Sequence, residues 1–421
     1  MSDTSLVPTR WQGHRLVRED RPYRRLSRFL KIDIQPDDAD VVGLREGLTR
    51  GDPVADAFVE WAATDPRRAR ELFDRVVERG LVAAPDAPEA LVRWFAPLES
   101  EPEWLDHDAI RLARRVMHRG GAAAGTILTA MALMGGYRSS AAVKPLAMTG
   151  ALDKMVVRRI AETSRFVLDV IESDGLGRFS PGFESACRVR LMHAMVRRSL
   201  KRRDDWDFEA WGMPINQTDM AATQLEFSAI YLSGLMVLGF RFTPEERDAV
   251  MHLWRYVGVI MGADDALLAH DYRAGVRQML IHGLTNPHAD DDSRALAKAL
   301  HELPERLAVG PAQKLLARML MRYRVCVSRM TLGDEAVDDI GLPPAPEHRL
   351  LWGLSAVRFG LETVRTHLPG ATPLAEWRGL RLQRRVITEL GGGQDVHYVP
   401  YADRKAKARM PLRAGRATHP S

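Results

Sequence analysis

The chain has 421 residues, 46% of them hydrophobic and 27% charged, which is enough to bury a sizeable core in one large domain or in two to three small ones. Its net charge is +5 and its pI is near 9.3, with much of the excess in two short runs, 197–203 and 404–409. No aromatic residues are interleaved with these cations, which argues against a nucleic-acid surface. We interpret the runs as solvated faces and a frayed end.

The chain contains two cysteines, Cys187 and Cys326, and no CxxC pair. This usage argues against a disulfide framework and against a cysteine-based zinc site, and it favours a reducing cytoplasm. The first residues show no basic stretch followed by an apolar run, so no signal peptide is predicted. The expected location is cytoplasmic.

One uncharged segment, 120–137, tests the possibility of a membrane span. It is dominated by Ala, Gly and Thr and barely reaches the roughly 20 residues that a span needs. We therefore predict a buried helix that neighbouring elements approach closely, and no transmembrane span.

Taken in order, the chain begins with a basic, proline-punctuated arm, 1–36, expected to wrap the surface. An N-terminal helical region, 37–99, follows. In it Asp52-Pro53 and Asp65-Pro66 each supply an N-cap and a first-turn proline. They predict helices over 54–64 and 67–79, with a short helix over 90–95 after a proline-rich break.

The middle of the chain, 100–285, is expected to form the core. Thr243-Pro244-Glu245-Glu246 predicts a capped helix start, and Thr218 or Asp219 is expected to cap a long helix through Met236. The other predicted helices here cover 108–119, 120–137, 141–148, two segments around 158–166 and 187–198, and 263–284.

Further helices near 293–303, 311–330 and 345–364 are expected within 286–390 to complete the domain, and 391–421 reads as a basic, flexible tail. No period-2 strand pattern and no internal repeat is found. The sequence therefore predicts an all-α fold, a single large helical domain with peripheral arms.

Two helical patterns carry candidate chemistry. On the first, Arg159, Glu162, Thr163 and Phe166 recur at i, i+3, i+4 and i+7 and should share one face. The second places a polar stripe among Val, Leu and Met, formed by Cys187, Arg190, His193 and Arg197. A buried polar group without a partner costs ~1–3 kcal/mol, so this stripe needs something anionic, and the propionates of a haem would serve.

His193 on such a stripe suits a haem in which one protein ligand holds the iron and the opposite side stays open. A lone histidine on a helix is more often a satisfied core or surface residue. Glu162 is the candidate acid or base on the open side. Its alternative is an ordinary ion pair with Arg159.

Other chemistries lack their motifs: HExxH, the ExxH pairs of di-iron bundles, and GxSxG are all absent. The Gly391-Gly392-Gly393 run is not followed by Lys-Ser/Thr, which favours a loop over a phosphate cradle. The remaining histidines are scattered and assemble no zinc site: His252, His270, His282, His288 and His301.

Arg159-Ile160-Ala161-Glu162-Thr163 and Arg190-Leu191-Met192-His193, separated by a glycine-containing loop, resemble the catalytic domain of the latex-clearing rubber oxygenases and the related MpaB-type oxygenases. Supporting motifs are Pro102-Glu103-Trp104-Leu105-Asp106, Gly136-Tyr137-Arg138-Ser139, and Pro214-Ile215-Asn216-Gln217-Thr218-Asp219. The resemblance covers roughly residues 100–285.

The resemblance implies an all-α, globin-like core that holds a b-type haem. His193 matches the proximal iron ligand and Arg190 the arginine of the same RxxH motif, while Arg159 and Thr163 match distal polar residues. Latex-clearing proteins place a lysine in an RxxKT pattern where this chain has Glu162, a residue better suited to moving protons than to ligating iron. Lys144 lies upstream and reaches that position only if a loop brings it near.

The sequence thus predicts a haem b-dependent oxygenase or peroxygenase acting on an apolar small molecule with oxygen or peroxide, and with a possible redox partner. Its iron ligand would be His193 and its distal acid or base Glu162. Arg159 would orient Glu162 or the oxidant, and Thr163 would hold a water. Arg190 would pair with a propionate or lock the proximal helix. The alternatives are a non-catalytic carrier or sensor of haem or another apolar ligand, and a cofactor-free helical scaffold.

Overall fold

The structure is a computed structural model and describes residues 7–13, 38–150, 156–172 and 175–390. Within these ranges it contains helices and no β-strand, so the predicted all-α class is confirmed. The helices of the N-terminal half are α1 (Asp38–Gly47), α2 (Pro53–Ala62), α3 (Pro66–Arg79), α4 (Glu89–Phe95), α5 (His107–Arg119), α6 (Gly121–Ile127), α7 (Met134–Tyr137), α8 (Ser140–Met148), α9 (Val156–Ile171) and α10 (Pro181–Lys201).

The C-terminal half continues the same architecture, with the predicted tail 391–421 lying outside the described residues. Its helices are α11 (Phe208–Trp211), α12 (Gln217–Phe227), α13 (Ala229–Val237), α14 (Pro244–Ile260), α15 (Tyr272–Thr285), α16 (Asp291–Leu307), α17 (Pro311–Leu332), α18 (Asp334–Asp339), α19 (Leu351–His367) and α20 (Ala371–Leu390).

Helix starts follow the capping signals closely. Asp52 accepts a hydrogen bond from the Ala55 backbone N–H and so caps α2, and Asp65 caps α3 in the same way. Thr243 and Glu246 form the reciprocal capping box that opens α14. Each cap satisfies an orphan backbone donor and contributes ~0.5–2 kcal/mol, which explains why these boundaries were predictable.

Helix ends and interruptions were less predictable. The long helix expected through Met236 breaks at Ser228 (φ −119°, ψ −91°), and its cap is Asn216. The Ser228 hydroxyl donates to the carbonyl of Gln224, a local bond that competes with the helical ladder. The helix expected over 263–284 begins only at Tyr272.

The last two helices also differ from expectation. Helix α19 was predicted to start at 345, but a 3₁₀ turn, Pro346–Leu350, precedes it. Helix α20 was not predicted as a separate element. Its Gly379 packs so closely on the His118 carbonyl of α5 that a Cβ atom would not fit there.

The apolar segment 120–137 forms α6, a π-helical turn over Leu128–Leu133, and α7. It is largely buried, and Gly234 of α13 packs against its Ile127 and Met131 side chains. The predicted close approach of neighbours is therefore confirmed. In the part of the chain that the structure describes, no helix is long and apolar enough to cross a membrane.

The main hydrophobic core draws side chains from as far apart as Ala55 and Ile387. Helix α10 crosses this core, packing antiparallel to α9 on one side and against α2 on the other. The two cysteines are buried free thiols. Helix α10 thus packs between α2 and α9, and these contacts fix the directions of the side chains that it presents to the site.

Candidate functional site

A cavity of about 1170 Å³ lies between α9 and α10 and is closed by side chains of α7, α8, α12, α15 and α17. A space of this size with a mostly apolar wall is typical of a small-molecule or cofactor site. Its apolar wall includes Met131, Met134, Leu146, Phe166, Val189, Met192, Phe227, Ile230, Met279 and Leu332.

Helix α9 presents its predicted face to this cavity. Arg159, Glu162, Thr163 and Phe166 all line it, which confirms that the four side chains point the same way. Glu162 is mostly buried, and its Oε1 accepts a 2.8 Å hydrogen bond from Nε of Arg158. The alternative prediction, an ion pair between Glu162 and Arg159, is therefore wrong. The i, i+4 spacing places Arg158 beside the carboxylate instead.

Arg159 itself turns toward α7. Its Nη2 donates a 3.2 Å hydrogen bond to the Tyr137 hydroxyl. Its Nη1 is buried and has no hydrogen-bond partner. A guanidinium N–H without a partner is costly in a core, so Arg159 is suited to meet a polar group that enters the cavity.

On the opposite wall, His193 of α10 lines the cavity, and its Nδ1 is buried without a hydrogen-bond partner. Burial disfavours the imidazolium and lowers the pKa of His193 to about 4, helped by Arg197 and opposed by Asp52. The ring is therefore neutral at physiological pH, which is the form that ligates a metal ion.

The rest of the predicted α10 stripe does not reach this cavity. Arg190 lines a separate cleft and holds Asp52 in a bidentate pair, Nε to Oδ2 at 2.7 Å and Nη2 to Oδ1 at 3.0 Å. Arg197 donates to Asp56 at 3.1 Å. The anions that the stripe requires are thus carboxylates of α2 and its cap.

Two further expectations are resolved by these contacts. Cys187 packs in the hydrophobic core, where burial raises the pKa of its thiol to about 12. The amine of Lys144 pairs with Asp290 and Asp292, each at 2.6 Å. Lys144 is absent from the cavity wall, so the structure does not bring it into the site beside Glu162.

Sequence reasoning missed Glu226 of α12. Its carboxyl group lines the cavity against Gly136, and it has no hydrogen-bond or ion-pair partner among the described residues. Burial raises the pKa of Glu226 to about 8, so the group is a neutral acid at neutral pH. The one available signal was an acid placed between the apolar residues Leu225 and Phe227.

His282 of α15 was also missed, having been set aside as one of several scattered histidines. It lines the same cavity, and its Nε2 is buried without a partner. Burial lowers the pKa of His282 to about 4, with Asp219 opposing the shift. Two of the imidazoles that line the cavity, on α10 and α15, are therefore neutral at physiological pH.

Glu226→Gln tests the state of the buried acid. The pKa of Glu226 is higher in the folded chain than in the unfolded one. Ionisation of this carboxyl group therefore lowers the free energy of unfolding as pH rises from about 4.5 to about 8. We expect the variant to lose up to ~4 kcal/mol of that pH dependence, measured by urea unfolding at several pH values. A variant whose curve parallels the parent's throughout this range would show that Glu226 is ionised when folded.

Residues 118–365, more than half of the chain, match the family model described as "ER-bound oxygenase mpaB/B'/Rubber oxygenase, catalytic domain". The rubber oxygenase of Streptomyces sp. (strain K30) is 25% identical over 193 residues, 45% of this chain and 45% of that protein. The match therefore spans less than half the length of that relative.

The fold is shared with a solved structure of latex clearing protein LCP in the closed state. The TM-score is 0.61, the sequence identity is 21%, and the likeness covers 80% of this chain and 88% of that one. Together with the two helices that carry the predicted motifs, the family match is decisive: the chain belongs to the MpaB and rubber oxygenase catalytic-domain family.

Proposed function

We propose that this chain is a haem b-dependent oxygenase or peroxygenase that acts on an apolar small molecule. One observation carries the proposal: a neutral, unpartnered imidazole, His193, shares a large apolar cavity with Glu162 and Arg159. Family membership supports the oxygenase part of the proposal.

The side chains present fit a haem. Nδ1 of His193 is buried without a protein partner, which is understandable if the ring is positioned by a bound group. No group of three or more His, Cys, Asp or Glu in the described ranges could hold a metal ion. In the proposed haem the porphyrin would supply most of the iron's ligands, with His193 as the protein ligand.

When bound, haem supplies the redox chemistry that activates oxygen or peroxide. The chain's own part is to manage protons and exclude water. Glu162, held by Arg158, accepts or releases a proton at its carboxylate, and the unpartnered Nη1 of Arg159 donates to the oxidant. Thr163 holds a water on the same wall, while the methionine-rich surface binds the apolar substrate.

For Arg190 we propose the second of its two expected roles. Its pair with Asp52 locks α10 onto the start of α2 and leaves the guanidinium engaged away from the cavity, so it positions His193 and does not meet a propionate. We keep the cytoplasm as the proposed compartment and a separate redox partner as the proposed source of electrons where oxygen is the oxidant.

The absorption spectrum of the protein purified from haem-supplied cells is the test. We expect a Soret band, followed by steady oxygen or peroxide consumption with an oxidised product. A colourless protein contradicts the haem. A coloured protein that binds its ligand reversibly without turnover is instead the carrier or sensor, for which the unpartnered Nη1 of Arg159 and the buried Glu162 have no evident use.

Glu162→Ala is expected to retain haem and lose turnover by ~10²–10⁴-fold, because positioned acids and bases contribute rate enhancements of this order. Turnover and Soret absorbance are measured on the same sample. Glu60→Ala, which removes an exposed partner of Arg198 and Arg202, serves as the control and should match the parent. If Glu162→Ala keeps full activity and Glu226→Gln does not, the proton carrier is Glu226.

A further inference from the structure

Helix α19 is amphipathic in the inverted sense, with its apolar face toward solvent. Between residues 351 and 367 only Ser355 is buried. The six most exposed large apolar side chains of α19 and its flanks, between 54% and 74% exposed, form what we call the heptad stripe: Leu350, Leu354, Val357, Leu361, Val364 and Leu368. Trp352 and Phe359, 48% and 51% exposed, lie off this stripe. Exposed apolar groupings of this kind mark interaction surfaces.

The spacing of the heptad stripe is 4-3-4-3-4. An apolar repeat of 3.5 residues is the pattern of a narrow seam that packs knobs into holes against another helix, whereas a helix lying on a broad apolar surface shows a wider stripe. Gly353 and Gly360 lie beside the stripe, and a Cβ at either would meet only open space. Nothing among the described residues requires glycine there, but a closely approaching second helix would.

The charged side chains of α19 all engage their own chain. The guanidinium of Arg358 stacks on Phe240, and Arg365 pairs with Glu362 at 3.0 Å. Helices that bind anionic membranes keep Lys and Arg free to reach the lipid headgroups. Because α19 turns its charges inward, the face is better suited to a protein partner than to a lipid surface.

The stripe is also self-complementary. In an antiparallel pair with its two-fold axis between Val357 and Leu361, Val357 would contact the partner's Leu361, and Leu361 the partner's Val357. The outer layers would then be equally well matched, Leu354 against the partner's Val364 and Leu350 against the partner's Leu368. Gly360 would meet the partner's Gly360, where the missing side chains let the two backbones approach.

The exposed large apolar side chains of the described residues are concentrated on α19 and on the helices that contact it. Of the 24 exposed large hydrophobic side chains in the described residues, 16 lie on α19 with its flanks and on the two helices that contact it, α17 and α20. They expose the equivalent of nearly nine whole side chains. This is roughly 500–1,000 Å² of apolar area, against roughly 800 Å² per partner in a specific interface.

We propose that the occupant of this face is a second copy of the chain, and that α19 forms the antiparallel seam of a symmetric homodimer. The proposal is independent of haem binding and of any catalytic role.

Analytical ultracentrifugation of the full chain is the test. The parent should sediment as a dimer at micromolar concentration, and Leu361→Glu should weaken association by at least 100-fold, because it places a carboxylate at the centre of the seam. Val82→Glu, at a side chain that is 91% exposed on another surface, should leave the dimer intact. Unchanged thermal melts would show that all three proteins are folded.

A cysteine pair tests the register. Gly360→Cys should form a disulfide-linked dimer under mild oxidation, whereas Gly353→Cys, which would face the partner's His367, should not. A parent that is monomeric at 100 µM overturns the proposal. So does a monomer that floats with phosphatidylglycerol vesicles and loses that binding in Leu361→Glu, because lipid would then be the occupant.

Discussion

His193→Ala is expected to abolish haem retention, so that the purified variant shows no Soret band and no turnover. The physical reason is the state of the ring: with the pKa of His193 near 4, the imidazole offers a lone pair at neutral pH. Its Nδ1 has no hydrogen bond that the substitution would break. The loss should therefore come from the missing ligand and not from unfolding.

The control for this prediction is His282→Ala. Burial also lowers the pKa of His282 to about 4, and His282 lines the same cavity with an unpartnered ring nitrogen, Nε2 where His193 has Nδ1, so it is a matched control at another position. We expect it to keep the Soret band. The measurement is the ratio of Soret to protein absorbance after identical haem supply, with imidazole added back to His193→Ala. Retention by His193→Ala and loss by His282→Ala would transfer the ligand role to α15.

Local rules accounted for much of the fold. The Asp-Pro and Thr-Pro-Glu-Glu starts encode their own hydrogen bonds within four residues, so α2, α3 and α14 could be placed from sequence. The break at Ser228 could not be placed from sequence. The apolar residues around it favour a continuous helix, whereas the hydrogen bond from the Ser228 hydroxyl to the Gln224 carbonyl competes with the backbone hydrogen bonds of that helix.

The candidate site was only half predictable for a different reason. Periodicity correctly put Arg159, Glu162 and Thr163 on one face of α9. It could not say that the cations of α10 meet protein carboxylates, because Asp52 lies 138 residues before Arg190 in the chain. Glu226 and His282 lie outside the motifs that the sequence offered, and only tertiary packing brings them to the cavity.

The contact between α10 and the start of α2 leads to the largest expected effect on stability. The Arg190 and Asp52 side chains are 9% and 3% exposed and form two hydrogen bonds, so removing either partner leaves a buried charge uncompensated. We expect Arg190→Met to cost ~3–5 kcal/mol in urea unfolding. Asp52→Ala should cost slightly more, since Asp52 also caps α2 and a lost cap costs ~1 kcal/mol.

The double variant Arg190→Met with Asp52→Asn separates the pair from its surroundings. Asparagine keeps the cap and methionine fills the stem of the arginine, so no unpaired charge remains, and much of the lost stability should return. For comparison, Glu89→Gln breaks an ion pair with Arg93 whose side chains are 76% and 71% exposed, and it should change stability by less than ~0.5 kcal/mol. If the Arg190→Met cost is equally small, α10 is not held by this pair. If it is large, the position of His193 depends on a contact made one turn earlier on the same helix, and haem affinity should fall in Arg190→Met even under conditions where the variant is fully folded.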